Sequence, residues 1–205
     1  MPGDLRRPIQ SKYSVIRKLT GVPGLRDVSD PSLPHFAYFH PTPESINTAI
    51  SALETYVLAE GPFDGIIGFS QGASLAVMWL TLKAYNNPEA PPPVSCAILF
   101  SRVLSYDPVT WHATGVAQKL ENVPDGGRRI QIPVANLWGA NDREDVLEYG
   151  PATANLFDEQ GYWSYVHPGG HEVPGLAMRE ALKKTAKIAK RSIMQAQMAA
   201  ESLDR

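Results

Sequence analysis

Three short segments of this chain place serine, aspartate and histidine where nucleophilic chemistry would need them. Gly68-Phe69-Ser70-Gln71-Gly72 fits the pattern Gly-x-Ser-x-Gly, in which a serine occupies a tight turn between a strand and a helix. Glycines two before and two after remove side chains that would clash in such a turn. The strained backbone lifts the hydroxyl clear of the sheet, and the helix beyond it offers N–H groups to a developing oxyanion. The pattern arises by chance on the order of 0.1 times in a chain this long. Its context here, an apolar run before and a helical run after, is the one the chemistry requires.

A serine of ordinary acidity needs a base, and the base needs a carboxylate to orient it. The expected order is serine, acid, histidine, each following a strand. Asp142 lies in the turn Gly139-Ala140-Asn141-Asp142, 72 residues beyond Ser70, and His171 ends Pro168-Gly169-Gly170-His171, 29 residues further on. Glu144 and Asp145 are rival acids lying deeper in the segment after the turn. His167 is the rival base, at the end of a predicted strand; His35, His40 and His112 follow no strand and read as surface residues. Asp142 as a plain turn residue and His171 as a plain loop residue are the alternatives to these roles. A metal held by His167 and His171 finds no third ligand at a recognisable spacing, so neither a metal nor another cofactor is expected.

These residues need elements to position them. Thr42 caps and Pro43 opens an amphipathic helix over 43–60, with Ile46, Ile50, Leu53 and Val57 on one face and Gly61-Pro62 ending it. Asp64 to Phe69 and Val94 to Phe100 read as buried strands, separated by a helix that starts at the serine turn. A third strand spans Ile132 to Trp138 and a fourth Tyr162 to His167; helices are predicted over 151–160 and 174–200. Residues 1–42 are rich in proline and glycine and read as irregular chain over a surface. Strands alternating with helices predict the α/β class, with a parallel sheet covered on both faces and one domain over 1–205.

Composition fits that class. The chain has 205 residues, 43% hydrophobic and 20% charged, with a net charge of −2 that gives no basic excess for nucleic acid or anionic membrane. Its single cysteine, Cys96, excludes an internal disulfide framework and suits a cytoplasmic location. No run of 18 apolar residues occurs, and the amino terminus lacks the apolar core of a signal peptide.

The segment 61–73, Gly-Pro-Phe-Asp-Gly-Ile-Ile-Gly-Phe-Ser-Gln-Gly-Ala, resembles the signature of the FSH-type serine hydrolases, small α/β-hydrolases abundant in fungi. The likeness extends to Leu137-Trp138-Gly139-Ala140-Asn141-Asp142 and to the stretch His167 to Pro174, covering about residues 36–190. It implies an α/β-hydrolase fold, Ser70 as nucleophile, Asp142 as acid, His171 as base and the Gln71 backbone N–H as an oxyanion donor. It further implies a carboxylesterase or thioesterase acting on small-molecule acyl chains, including polyketides of fungal secondary metabolism presented on a synthase carrier domain.

The chain departs from the family pattern at its start. Family members begin with an apolar strand ending in His-Gly, which supplies a second oxyanion donor; residues 1–40 hold no His-Gly pair and no four-residue apolar run. The chain is therefore expected to begin some tens of residues late, through a misassigned start codon or as a natively short protein, with an open sheet edge. The alternative function is a weak or inactive relative that binds an acyl ligand or a synthase partner. Acyl transfer to an amine or alcohol would use the same residues. Val103, Leu104, Tyr106 and Trp111 are candidates for lining an acyl pocket or for plain packing. Lys183, Lys184, Lys187, Lys190 and Arg191 form a solvated face, with docking of an acidic carrier as the alternative.

Overall fold

In the computed structural model, residues 37–203 are described. The irregular reading of 1–36, His35 included, lies outside them. From Ala37 the chain runs without regular structure to α1 (Pro43–Glu60), where Thr42 Oγ1 accepts from the Ser45 N–H as the predicted cap. Then come β1 (Gly65–Phe69), α2 (Gln71–Asn86), β2 (Cys96–Phe100), α3 (Pro108–Thr114), β3 (Val134–Gly139), α4 (Glu144–Ala152), β4 (Tyr162–His167) and α5 (Arg179–Leu203).

The four strands form one parallel sheet in the order β1-β2-β3-β4. β2 (CAILF) and β3 (VANLWG) are buried along their whole length, as continuous apolar strands in the centre of a two-sided sheet should be. On one face, α1, α2 and Trp111 of α3 share a core with Ala97, Leu99 and Val134. On the other, Ile188 and Ala189 of α5 pack on Ile98, Phe100, Ala135 and Leu137. The α/β class and the two-sided covering are as expected. α1 is tied to α2 through Glu54, whose carboxylate accepts from Trp79 Nε1 and Lys83 Nζ.

Three expectations need correction. β1 is not a buried strand but the sheet edge, with Ile67 71% and Phe69 41% exposed, because β2 is its only neighbour among the described residues. The helix placed at 151–160 lies earlier, over 144–152. Glu144 and Asp145 in its first turn favour the helix N-terminus, and Pro151 lacks the N–H needed to carry the helix on, so single turns of 3₁₀ come next at Thr153–Leu156 and Glu159–Gly161. α5 starts at Arg179, not at residue 174, after Pro174 and Gly175. Of the pocket candidates, Trp111 lies in the core with Tyr106 edge-on to its ring, so that pair serves packing. No described helix is long and apolar enough to cross a membrane.

Candidate active site

In a parallel sheet the carboxyl ends of all strands lie along one edge, so the loops leaving them meet there, and ligands of open α/β sheets bind at that edge. Ser70 comes directly after β1, with φ 53° in the left-handed region that non-glycine residues avoid. Its backbone N–H donates to Phe100 O at 2.8 Å, extending the β1–β2 ladder by one rung before the chain enters α2. A Cβ at Gly68 would sit 2.6 Å from Ala73 Cα, so only glycine lets α2 return this close to the strand. At Gly72 an added Cβ would make only ordinary contact with the Tyr38 ring, at 3.4 Å, so the structure shows no steric need for glycine there.

The β3 and β4 ends are fastened to each other. Ala140 N–H donates to His167 O, Asn141 N–H to Gly169 O and Asn141 Nδ2 to Pro168 O, at 2.7, 3.0 and 2.7 Å. This pairing brings Asp142 beside His171. His171 Nδ1 lies 2.7 Å from Asp142 Oδ1, and its Nε2 lies 2.9 Å from Ser70 Oγ. The Asp142 side chain is fully buried. Burial alone would raise its pKa. The Ser101 hydroxyl, the Arg143 N–H and His171 outweigh burial and hold the carboxyl below its usual range. An ionised carboxylate only accepts, so Nδ1 carries the proton and donates to Oδ1, which leaves Nε2 to accept from the Ser70 hydroxyl. The structure thus brings Ser70, His171 and Asp142 into one hydrogen-bonded line. That line can withdraw the hydroxyl proton as Oγ attacks an electrophilic carbon.

The rivals sit elsewhere. Asp145 pairs with Arg143 through Nε and Nη2, and Glu144 is exposed at the start of α4. His167 is fully buried, its Nδ1 accepting from the Gly169 N–H, and burial lowers its pKa; it shapes the loop that carries His171. Among the described residues no cluster of histidine, cysteine and carboxylate side chains is placed to hold a metal. Gln71 begins α2, where the first N–H groups have no acceptor within the helix. Its side chain faces back to the entry segment, accepting from Tyr38 N–H and donating to Phe39 O.

Sequence reasoning missed Ser101, whose hydroxyl donates to Asp142 Oδ2 at 2.7 Å. No flanking glycine or turn signature marks it. Phe69 carries no sequence signal of a site role either, yet its ring lies 5.0 Å from that of His171 and lines an apolar groove of about 520 Å³ along β1, with Tyr38, Tyr56, Phe63, Ile66 and Ile67. A larger depression of about 590 Å³, walled by Pro91 to Pro93, Lys83 and Arg128, shares no residue with the Ser70 line.

Residues 27–181 match the family model described as Serine hydrolase (FSH1). The chain belongs to this family. The fold of this FSH1-family serine hydrolase is accordingly that of the α/β-hydrolases. It is 38% identical over 139 residues to the esterase FPY3 of Fusarium mangiferae, a match covering 67% of this chain and 61% of that protein. With the esterase alnB of Emericella nidulans the identity is 39% over 195 residues, covering 64% of this chain and 68% of that one. Its structure is similar to that of Arabidopsis thaliana SOBER1, with a TM-score of 0.47, 18% identity and coverage of 78% and 75%. The FSH1-family chain therefore spans less than two thirds of FPY3.

Proposed function

We propose that this chain is a serine esterase, hydrolysing carboxylic esters or thioesters through Ser70, His171 and Asp142. The observation that carries this reading is the unbroken line from Asp142 Oδ1 through the imidazole to Ser70 Oγ, with contacts of 2.7 and 2.9 Å. Ser70 Oγ attacks the acyl carbon while its proton passes to His171 Nε2, and Asp142 stabilises the imidazolium that forms. The Gln71 N–H at the start of α2 receives the oxyanion. As the tetrahedral intermediate collapses, His171 returns the proton to the leaving alkoxide or thiolate, and an acyl-Ser70 ester remains. Water, deprotonated by the same nitrogen, then releases the acid and restores the serine. No cofactor is required.

The substrate we propose is a small molecule with an apolar acyl group, since Phe69 belongs both to the groove along β1 and to the wall beside His171. The names of FPY3 and alnB as esterases favour the ester bond. The family resemblance extends the proposal to polyketide-type chains, with a synthase carrier domain as the donor of a thioester. Labelling by a fluorophosphonate, which phosphonylates activated serines, tests the reading. The wild-type protein is expected to be labelled and Ser70→Ala not. A folded wild-type protein that takes no label refutes it and favours a relative that only binds acyl ligands.

A further inference from the structure

Ser70 has a counterpart on the next strand. Ser101 comes directly after β2 as Ser70 does after β1, and these two are the only non-glycine residues with positive φ among the described residues, at 47° and 53°. Each extends its ladder by one rung, Ser70 donating to Phe100 O and Ser101 to Leu137 O, both at 2.8 Å. A backbone strained twice, at the ends of neighbouring strands, is kept only where the surroundings hold it there. Arg102 is what holds the second. It is buried, with Nε donating to Thr153 Oγ1 at 2.7 Å, Nη1 to Ser105 Oγ at 2.9 Å and Nη2 to Tyr149 O at 2.6 Å. It thereby locks the turn onto the far end of α4, the helix that Asp142 leads into.

We propose that Ser101 is a positioning residue for the Ser70 reaction, fixing the Asp142 carboxylate so that Oδ1 stays aimed at His171. The inference rests on the esterase reading above. Each carboxylate oxygen has two donors. Oδ1 takes the Arg143 N–H and His171 Nδ1, both at 2.7 Å, and Oδ2 takes the Ser101 hydroxyl at 2.7 Å and the Gly139 N–H at 3.4 Å. Without the hydroxyl, Oδ2 keeps only the long contact and the group can turn to share its remaining donors between both oxygens. A neutral donor suits the task, because it fixes the anion without competing as a second cation for the charge that steadies the imidazolium. The four strands thus end in four members of one chain of hydrogen bonds, Ser70, Ser101, Asp142 and His171.

Ser101→Gly removes the hydroxyl and accepts the left-handed backbone without strain, so it separates chemistry from folding; Ser101→Ala removes the hydroxyl and keeps the strain. Hydrolysis of a p-nitrophenyl ester is expected to lose kcat by roughly 10- to 100-fold in both variants, with KM within about twofold. Ser101→Gly should still melt in one cooperative transition, lowered modestly by loss of the buried hydrogen bond to Asp142. The low-field proton resonance of the His171 Nδ1–H should move or broaden in both, a signature that loss of packing elsewhere would not produce. A folded Ser101→Gly with wild-type kcat, or with kcat kept and KM raised, overturns the assignment while the esterase reading stands. A wild-type protein without labelling at Ser70 overturns both.

Discussion

Gly139 is where the alignment of the site is most exposed to a single methyl group. It ends β3, three residues before Asp142, and a Cβ built there lies 2.3 Å from both Gly169 O and Gly170 O. Neither obstacle is a side chain that can rotate away. Both are backbone of the loop that delivers His171, the next residue. Restoring an ordinary carbon–oxygen separation of about 3.3–3.6 Å moves that loop by about 1 Å. His171 Nε2, now 2.9 Å from Ser70 Oγ, would be carried out of hydrogen-bond range. A displacement of that size costs on the order of 10²-fold in rate, and the overpacking costs about 1–3 kcal/mol in stability. Gly139→Ala is therefore expected to stay folded and to react with a fluorophosphonate about 10²-fold more slowly than the wild type. The assay is the second-order inactivation rate, read beside thermal melting. Gly175→Ala is the control, because a Cβ at Gly175 meets nothing within 4 Å. A folded Gly139→Ala that reacts at the wild-type rate would refute the claim that β3 sets the position of His171 through these two carbonyls.

Other consequences can be measured on the same protein. Gly68→Ala places a Cβ 2.6 Å from Ala73 Cα and 2.7 Å from its nitrogen, so α2 must shift at its first turn; labelling of Ser70 should fall by about tenfold or more, and a normal rate would show that the turn tolerates a side chain. Asp142→Asn keeps the shape but removes the charge that fixes the Nδ1–H tautomer, and kcat is expected to drop by roughly 10³–10⁴. The same variant reports on acid stability. The Asp142 carboxyl titrates lower folded than unfolded, so its stabilisation is present above the ordinary value of 3.8 and disappears as pH falls through the folded one. The melting-temperature advantage of wild type over Asp142→Asn should therefore hold down to about pH 4 and shrink as the pH falls below it, and an advantage that grows toward low pH would contradict the assignment.

The parts of the site that were legible in the sequence are those whose signature is local. The pattern around Ser70 predicts a need for glycine at both Gly68 and Gly72; the requirement appears at Gly68, where a Cβ would meet Ala73 Cα, whereas one at Gly72 would make only ordinary contact with the Tyr38 ring. Asp142 and His171 are legible because each lies just past a strand whose apolar run is plain, β3 in full burial and β4 at the other sheet edge. Ser101 was out of reach for the opposite reason. Its φ of 47° is imposed by partners far along the chain, Thr153 and Tyr149 acting through Arg102, and no residue type beside it announces the turn. The error over α4 has the same root. Gly150 and Pro151 resemble the start of a segment, yet Gly150 lies against the Trp138 ring and its carbonyl accepts from Asn136 Nδ2, contacts with β3 that no local pattern contains.

The architecture explains why so short a stretch can hold so aligned a site. Ser70, Ser101, Asp142 and His171 are 31, 41 and 29 positions apart in sequence, but each stands within four residues of a strand end in one parallel sheet. Parallel register converts those separations into adjacency, since Phe69 pairs with Phe100 and Gly139 with His167. The burial is graded to match. β2 and β3, which lead into Ser101 and Asp142, are fully enclosed, whereas β1 and β4 bring Ser70 and His171 from the margins of the described sheet. An enclosed carboxylate needs donors to remain charged, and Asp142 has four; the nucleophile role proposed for Ser70 needs access, and Ser70 is half-buried beside the open groove that Phe69 lines. The same placement leaves Ile67 bare at the edge, so the feature that would admit the proposed acyl chain to Ser70 also leaves β1, among the described residues, with a free side for pairing with another polypeptide.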